Sequence, residues 1–202
     1  MIDKSSLIEF IILQISVAFS PGLIIALVVN ESVQKSRKNG IQVAIGAAGG
    51  ALILTFVSAL IFTFIFNLIP NFLNFIYFFG IIYIFYKGYK TLNSEATNTR
   101  ISKVVTSSLM SGFKVNLINP KMWVFYLSVL PLFLLKTSNV FTSLLLLGLL
   151  TLVINLCADI TYAFLSSYFF GSSSEARKKL INKVSGFSLI LIGFYLLFTR
   201  IF

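Results

Sequence analysis

The chain has 202 residues, 57% of them hydrophobic and only 11% charged, and its mean hydropathy is +0.95. An average soluble domain carries roughly 25% charged residues, so this supply cannot cover a water-soluble globule, while 22 Phe residues exclude disorder; the composition is that of an integral membrane protein. The chain has no His, which removes the commonest metal ligand and the usual general base at neutral pH, and its single Cys, Cys157, allows neither an intrachain disulfide nor a thiolate cluster, so no cofactor and no metal are expected.

A helix crossing a hydrocarbon core of roughly 30 Å needs about 20 apolar residues. Six stretches qualify: about Leu7–Asn30, Ile41–Phe66, Phe72–Tyr89, Val105–Leu135, Val140–Phe170 and Val184–Phe202. The first does not read as a cleavable signal peptide, because its leader Met1-Ile2-Asp3-Lys4 has no net positive side-chain charge and Glu9 interrupts the apolar run. Glu9 reads as interfacial and solvated, and Gln14 and Ser16 carry little weight. Near the middle of this span stands Ser20-Pro21-Gly22. Proline removes a backbone donor and disrupts the preceding turn, and in lipid the freed carbonyl must find another partner. The second span holds a Gly46–Gly50 spacing that lets helices approach closely. The third is aromatic from Phe75 to Phe85, a lipid-facing and packing surface.

The fourth and fifth spans are long, so tilt or an internal break is expected. In the fourth, Asn119-Pro120-Lys121 parallels the proline break of the first. Exposed helix N-termini at such breaks attract a carboxylate; the plain alternative is a structural kink. Lys114 and Lys121 either neutralise an acid or bind a substrate carboxylate, or else snorkel to the interface, which suits Lys114 better. The fifth span carries Asp159 near its middle, with Asn155 one turn earlier and Tyr162 about one turn later, a polar stripe facing inward. A carboxylate at the bilayer centre costs at least ~2.5–3.5 kcal/mol and marks a substrate or proton pathway unless it is a structural ion pair with Lys114 or Lys121. Cys157 reads as inert packing, and Ser172–Ser174 before Glu175 as a cytoplasmic loop and helix cap.

The net charge of +10 would suggest nucleic acid in a soluble protein; here it reads as topology, and no nucleic-acid partner is expected. The segments 31–40, 87–104 and 171–183 hold eleven Lys and Arg, against three (Lys4, Lys136, Arg200) on the opposite side. This places the three basic segments in the cytoplasm and both termini outside. The halves also resemble each other: Pro21 answers Pro120, and Gly80 and Gly88 before Tyr89 answer Gly186 and Gly193 before Tyr195. Three helices per half invert the second copy, and paired breaks in inverted halves point to a transporter's central site, although Pro and Gly are frequent enough in membrane helices to recur by chance.

These motifs resemble a known family. Phe19-Ser20-Pro21-Gly22 followed by Lys38-Asn39-Gly40 and Gly46 is similar to the opening of the LysE/RhtB amino-acid exporters. Gly112-Phe113-Lys114-Val115-Asn116-Leu117-Ile118-Asn119-Pro120-Lys121, with Leu130-Pro131 and Phe133 after it, resembles that family's second signature. Gly80-Ile81-Ile82-Tyr83 with Gly88, and Ser185-Gly186-Phe187 with Gly193, resemble its third and sixth helices. Two departures stand out: Leu23 occupies the place of the second Pro in the family's Pro-Gly-Pro pattern, and the family's polar position in the fifth helix aligns nearer Asn155 than Asp159.

The resemblance implies an all-α integral membrane protein of six transmembrane helices in two inverted three-helix repeats, about residues 1–93 and 104–202 of a single domain 1–202. It implies a secondary transporter in a prokaryotic cytoplasmic membrane that exports amino acids or related small metabolites on the proton gradient, with no enzymatic activity. Export of an inorganic cation and a structural membrane subunit are the alternatives. The expected substrate-binding or coupling residues are Pro21, Gly22, Asn119, Pro120, Lys121, Asn155 and Asp159. The expected partners are a small-molecule amino-acid substrate and membrane lipid, with a homodimer left open.

Overall fold

The computed structural model describes residues 4–20, 22–68, 72–93, 107–134, 139–166 and 174–200, and these are helical wherever they have regular structure. In chain order the helices are α1 (Lys4–Ala18), α2 (Leu23–Gln34), α3 (Arg37–Leu68), α4 (Phe72–Leu92), α5 (Ser108–Ile118), α6 (Pro120–Val124), α7 (Val140–Phe164) and α8 (Ser174–Arg200). A five-residue π segment, Phe125–Val129, and a 3-10 turn, Leu130–Phe133, prolong α6.

Two of the expected spans are broken. The first divides into α1 and α2, which meet at 51°. Pro21 itself lies outside the described residues, but on its two sides α1 stops at Ala18 and Gly22 is extended before α2 begins. The fourth divides at Asn119, whose backbone is extended. Asn119 Oδ1 accepts from the Lys121 amide at 3.1 Å, and Pro120 takes the first helical position, where its missing N–H is no loss. The Trp123 indole N–H donates to the Leu117 carbonyl at 2.6 Å, satisfying one acceptor that α5 leaves open at its end.

By length and composition, α3 (over Arg37–Ile65) and α7 are each able to cross a membrane, and the bent pair α1–α2 makes a third candidate. Pro120–Phe133 and Asn182–Phe198 are shorter apolar stretches. The fourth expected span is not one uninterrupted helix because Asn119 divides it. In the fifth, α7 runs to Phe164 and Leu165 leaves helical geometry; residues 167–170 of that expected span lie outside the described residues. The sixth starts earlier than Val184, since α8 is helical from Ser174. Lys and Arg are good helix formers, so a basic segment outside the apolar stretch extends the helix. The basic segment 31–40 is likewise mostly helical, with α2 reaching Gln34 and α3 opening at Arg37. Ser36 caps that start, its Oγ 3.4 Å from the Asn39 amide.

Lipid is as apolar as leucine, so helices associate in it through close packing of small residues. A Cβ on Gly46 would lie 1.9 Å from the Leu109 carbonyl oxygen, and one on Gly112 would lie 2.0 Å from that of Val43, so α3 and α5 touch backbone to backbone. Helices α4 and α8 do the same: a Cβ on Gly88 would meet the Gly186 carbonyl at 3.1 Å, and one on Gly186 the Gly88 carbonyl at 2.9 Å. One core gathers Phe10, Leu13, Leu54, Tyr126, Phe133 and Leu147; a second joins Leu27, Val28, Val43, Ala44, Tyr162 and Ala163. The outer surface is apolar too, with Phe56, Leu60 and Phe64 exposed at helical spacing on α3, and Phe187, Leu191, Phe194 and Phe198 on α8. Exposed apolar faces of this extent fit a lipid environment.

Candidate functional site

A small cavity lies where the two breaks meet, and it takes its lining from both cores. Val17, Met122 and Phe125 belong to one, Ile24, Ile25 and Ala47 to the other. Its polar lining is Gln14 of α1, Gly22 before α2, Asn116 of α5, Asn119 and Lys121 at the second break, and Asn155 and Asp159 of α7. It offers about 50 Å³ to water-sized molecules. At roughly 10–15 Å³ each that is a few waters, a scale that matches a ligand of a few heavy atoms.

Each polar group reaches the cavity for a local reason. Cutting the chain at Asn119 starts a new helix whose second residue is Lys121, and a methyl group placed on Gly22 would lie 3.5 Å from Lys121 Nζ. The ammonium thus stands beside the first turn of α2, where the partial positive charge of unpaired N–H groups adds to its own. Asp159 is buried, one turn from Asn155 on the same face of α7. Lys121 and Asp159 line one cavity, yet no ion pair joins them among the described residues. The third member of the stripe, Tyr162, anchors the break itself: its hydroxyl donates at 2.9 Å to the Phe19 carbonyl. Ser20 is held at 3.2 Å from the Thr91 hydroxyl of α4, and the Tyr83 hydroxyl of α4 donates at 3.5 Å to the Lys121 carbonyl.

Of the residues expected from the sequence, Gly22, Asn119, Lys121, Asn155 and Asp159 come together at this cavity. Pro120 does not line it; the proline is exposed and acts by opening α6. Lys114 is exposed, in keeping with snorkelling. Glu9 is partly buried and accepts a hydrogen bond from the Tyr195 hydroxyl at 2.8 Å. Cys157 is exposed on α7.

Sequence reasoning undervalued Gln14 and Asn116. Gln14 is fully buried and donates at 2.9 Å to Asn155 Oδ1 across 141 residues of sequence. Asn116 donates at 2.6 Å to the Ala47 carbonyl. The amide oxygen of each, Gln14 Oε1 and Asn116 Oδ1, is buried without a hydrogen-bond partner. The signal in the sequence was a polar residue in an apolar helix, but only the fold reveals which of these face protein.

A second polar cluster ties α2, α3 and α5 together beyond the apolar stretch that ends at Asn30. Glu31 pairs with Lys35 at 2.8 Å and accepts from Ser108 Oγ at 2.6 Å, while Asn39 donates to Ser108 Oγ at 2.9 Å. Partial burial of Glu31 raises its carboxyl pKa, but the hydrogen bonds from Lys35 and Ser108 and the charge of Lys35 outweigh this and hold it below the ordinary value.

Comparison with known proteins agrees with this architecture. The chain is 24% identical over 181 residues to an uncharacterized membrane protein of Synechocystis sp., covering 88% of each chain. No solved structure matches it. The family model of the LysE type translocators matches residues 15–200. A multi-pass helical membrane protein with two helix breaks at one polar cavity, matched over nearly its whole length by that model, belongs to the LysE type translocator family.

Proposed function

We propose that this translocator is a secondary exporter of amino acids or related small metabolites, driven by the proton gradient across a prokaryotic cytoplasmic membrane. The observation that carries the reading is the cavity between the two breaks, which presents Lys121 beside the start of α2 and a buried Asp159 without an ion pair between them. A zwitterion needs such a divided site. Its carboxylate meets Lys121 and the N–H groups of α2, and Asp159 holds the amino group or the coupling proton. For a substrate with one net positive charge, export against an inside-negative potential costs about 2.3 kcal/mol per 100 mV, and exchange for one entering proton cancels that term.

Six crossings in two inverted repeats, with both termini outside, accompany this reading. Support comes from the matching breaks at residues 18–23 and 118–120, from α4 lying against α8 through Gly88 and Gly186, and from the excess of Lys and Arg in the three basic segments. Rocking one repeat against the other about the cavity alternates access.

The test is efflux of labelled amino acids from proteoliposomes containing the purified protein under an imposed proton gradient. One or a few amino acids should leave in a gradient-dependent way, and Asp159→Asn should abolish this. Wild-type rates in Asp159→Asn would remove Asp159 from the mechanism. No efflux of any amino acid by folded protein would overturn the substrate class.

A further inference from the structure

We infer that the cavity selects amino acids with a short, uncharged, aliphatic side chain, and that Ala51 of α3 sets the limit on side-chain size. The inference rests on the exporter reading and deepens it by naming the substrate class. Its first support is the charge inventory. Among the residues that line the cavity only Lys121 and Asp159 are charged, one of each sign. The carboxylate and amino group of a zwitterion use both. The side-chain ammonium of lysine, or the second carboxylate of glutamate, would then be buried without a counter-ion, and a buried charge is tolerated only when it is paired. Lys87 of α4 is partly buried but does not line the cavity, so it supplies no partner inside it.

The uncharged polar lining points the same way. Asn155 Oδ1 accepts from Gln14, and Asn119 Oδ1 accepts from the Lys121 amide. The oxygens of Gln14 and Asn116 are closed even to water. All four lining amides therefore have their oxygens engaged or shut away. They brace the helices and offer no open acceptor to a side-chain hydroxyl or ammonium. Space supplies the last argument. The cavity offers about 50 Å³, and α3 contributes only Ala47, Ala48 and Ala51 to its wall. Val17, Met122 and Leu156 extend the apolar lining. Ala51 is 2% exposed and lines the cavity, so carbons added there have little room except the cavity itself. In an apolar pocket one methylene changes discrimination roughly 10–200-fold, so a change of two carbons at this wall has to be visible in the substrate ranking.

The experiment compares efflux of labelled alanine, valine, phenylalanine, lysine and glutamate from proteoliposomes of the full chain under one imposed proton gradient. Alanine and valine should leave with kcat/KM at least roughly tenfold above the other three. Ala51→Val should lower valine efflux at least roughly tenfold relative to alanine efflux, with alanine reporting that the variant is folded and active. Leu156→Ala removes carbons from the wall instead of adding them, and it should raise phenylalanine efflux relative to alanine. Lysine or glutamate leaving as fast as alanine overturns the proposal and leaves the exporter standing. So does a valine-to-alanine ratio unchanged in Ala51→Val. If that variant loses both substrates, the decision passes to Leu156→Ala, and an unchanged phenylalanine-to-alanine ratio there overturns the proposal. No efflux of any amino acid by folded protein overturns the exporter reading, and the substrate class falls with it.

Discussion

At the scale of single residues, the cavity depends on a few side chains that do two jobs. Asn119 both ends α5 and caps α6, and through that cap it sets where Lys121 points. Loss of an N-cap costs about 1 kcal/mol. Asn119→Ala should therefore lower stability by about that much and also weaken transport, because the first turn of α6 would no longer be held. Thermal unfolding and efflux measured on the same preparation test the pair. Lys121→Gln keeps much of the side-chain length and removes the charge. If the ammonium anchors a carboxylate, this change should raise the KM for an amino-acid substrate at least tenfold while the protein stays folded, and an unchanged KM would take Lys121 out of the site.

At the scale of helices, close backbone approach is the main packing device, as expected where lipid offers no hydrophobic drive to associate. Gly112 has no room for even a methyl group, because a Cβ there would lie 2.0 Å from a backbone oxygen that cannot rotate away. Overpacking of this kind costs about 1–3 kcal/mol. Gly112→Ala should destabilise the protein by that amount, whereas at Gly49 the nearest atom to a Cβ is a Phe113 ring carbon at 3.4 Å, ordinary contact, so Gly49→Ala should be close to neutral. A comparison of the two thermal midpoints in one detergent checks this, and equal loss at both would mean that the α3–α5 contact is looser than described. The π segment Phe125–Val129 belongs to this scale as well. It widens the helix just after the break, with Phe125 lining the cavity and Tyr126 fully buried 3.3 Å from the Thr55 hydroxyl.

At the scale of the whole molecule, the Glu31 cluster links α2 and α3 of the first half to α5 of the second. Any rocking of one half against the other has to loosen it. Its pH dependence has a definite sign. The carboxyl pKa is lowered on folding, so the stabilisation is fully present above the ordinary value of 4.5 and is lost as pH falls below that value. The effect should be small, since Lys35 is exposed and screened by water and salt. Stability measured from pH 7 to pH 3 should fall less steeply in Glu31→Gln than in the wild type, and parallel curves would show that the cluster contributes nothing on the acid side.

The sequence by itself determined that the protein lives in a membrane, where its apolar helices run, and that Asn119-Pro120 breaks one of them. Those properties follow from hydropathy, from the missing N–H of proline and from the capping chemistry of asparagine, all of which are local. It also marked Asn155 and Asp159, because amides and acids are costly in lipid wherever they stand. Only the tertiary structure decided that Gln14 meets Asn155, that Asn116 lines the cavity beside Lys121, and that Pro120 faces away from it. The helical period assigns residues to faces, but helix crossings decide which face meets protein. In a bilayer both environments are apolar, so hydropathy cannot tell a lipid-facing side from a packed one, and the partners of a buried amide become visible only once the helices are in place.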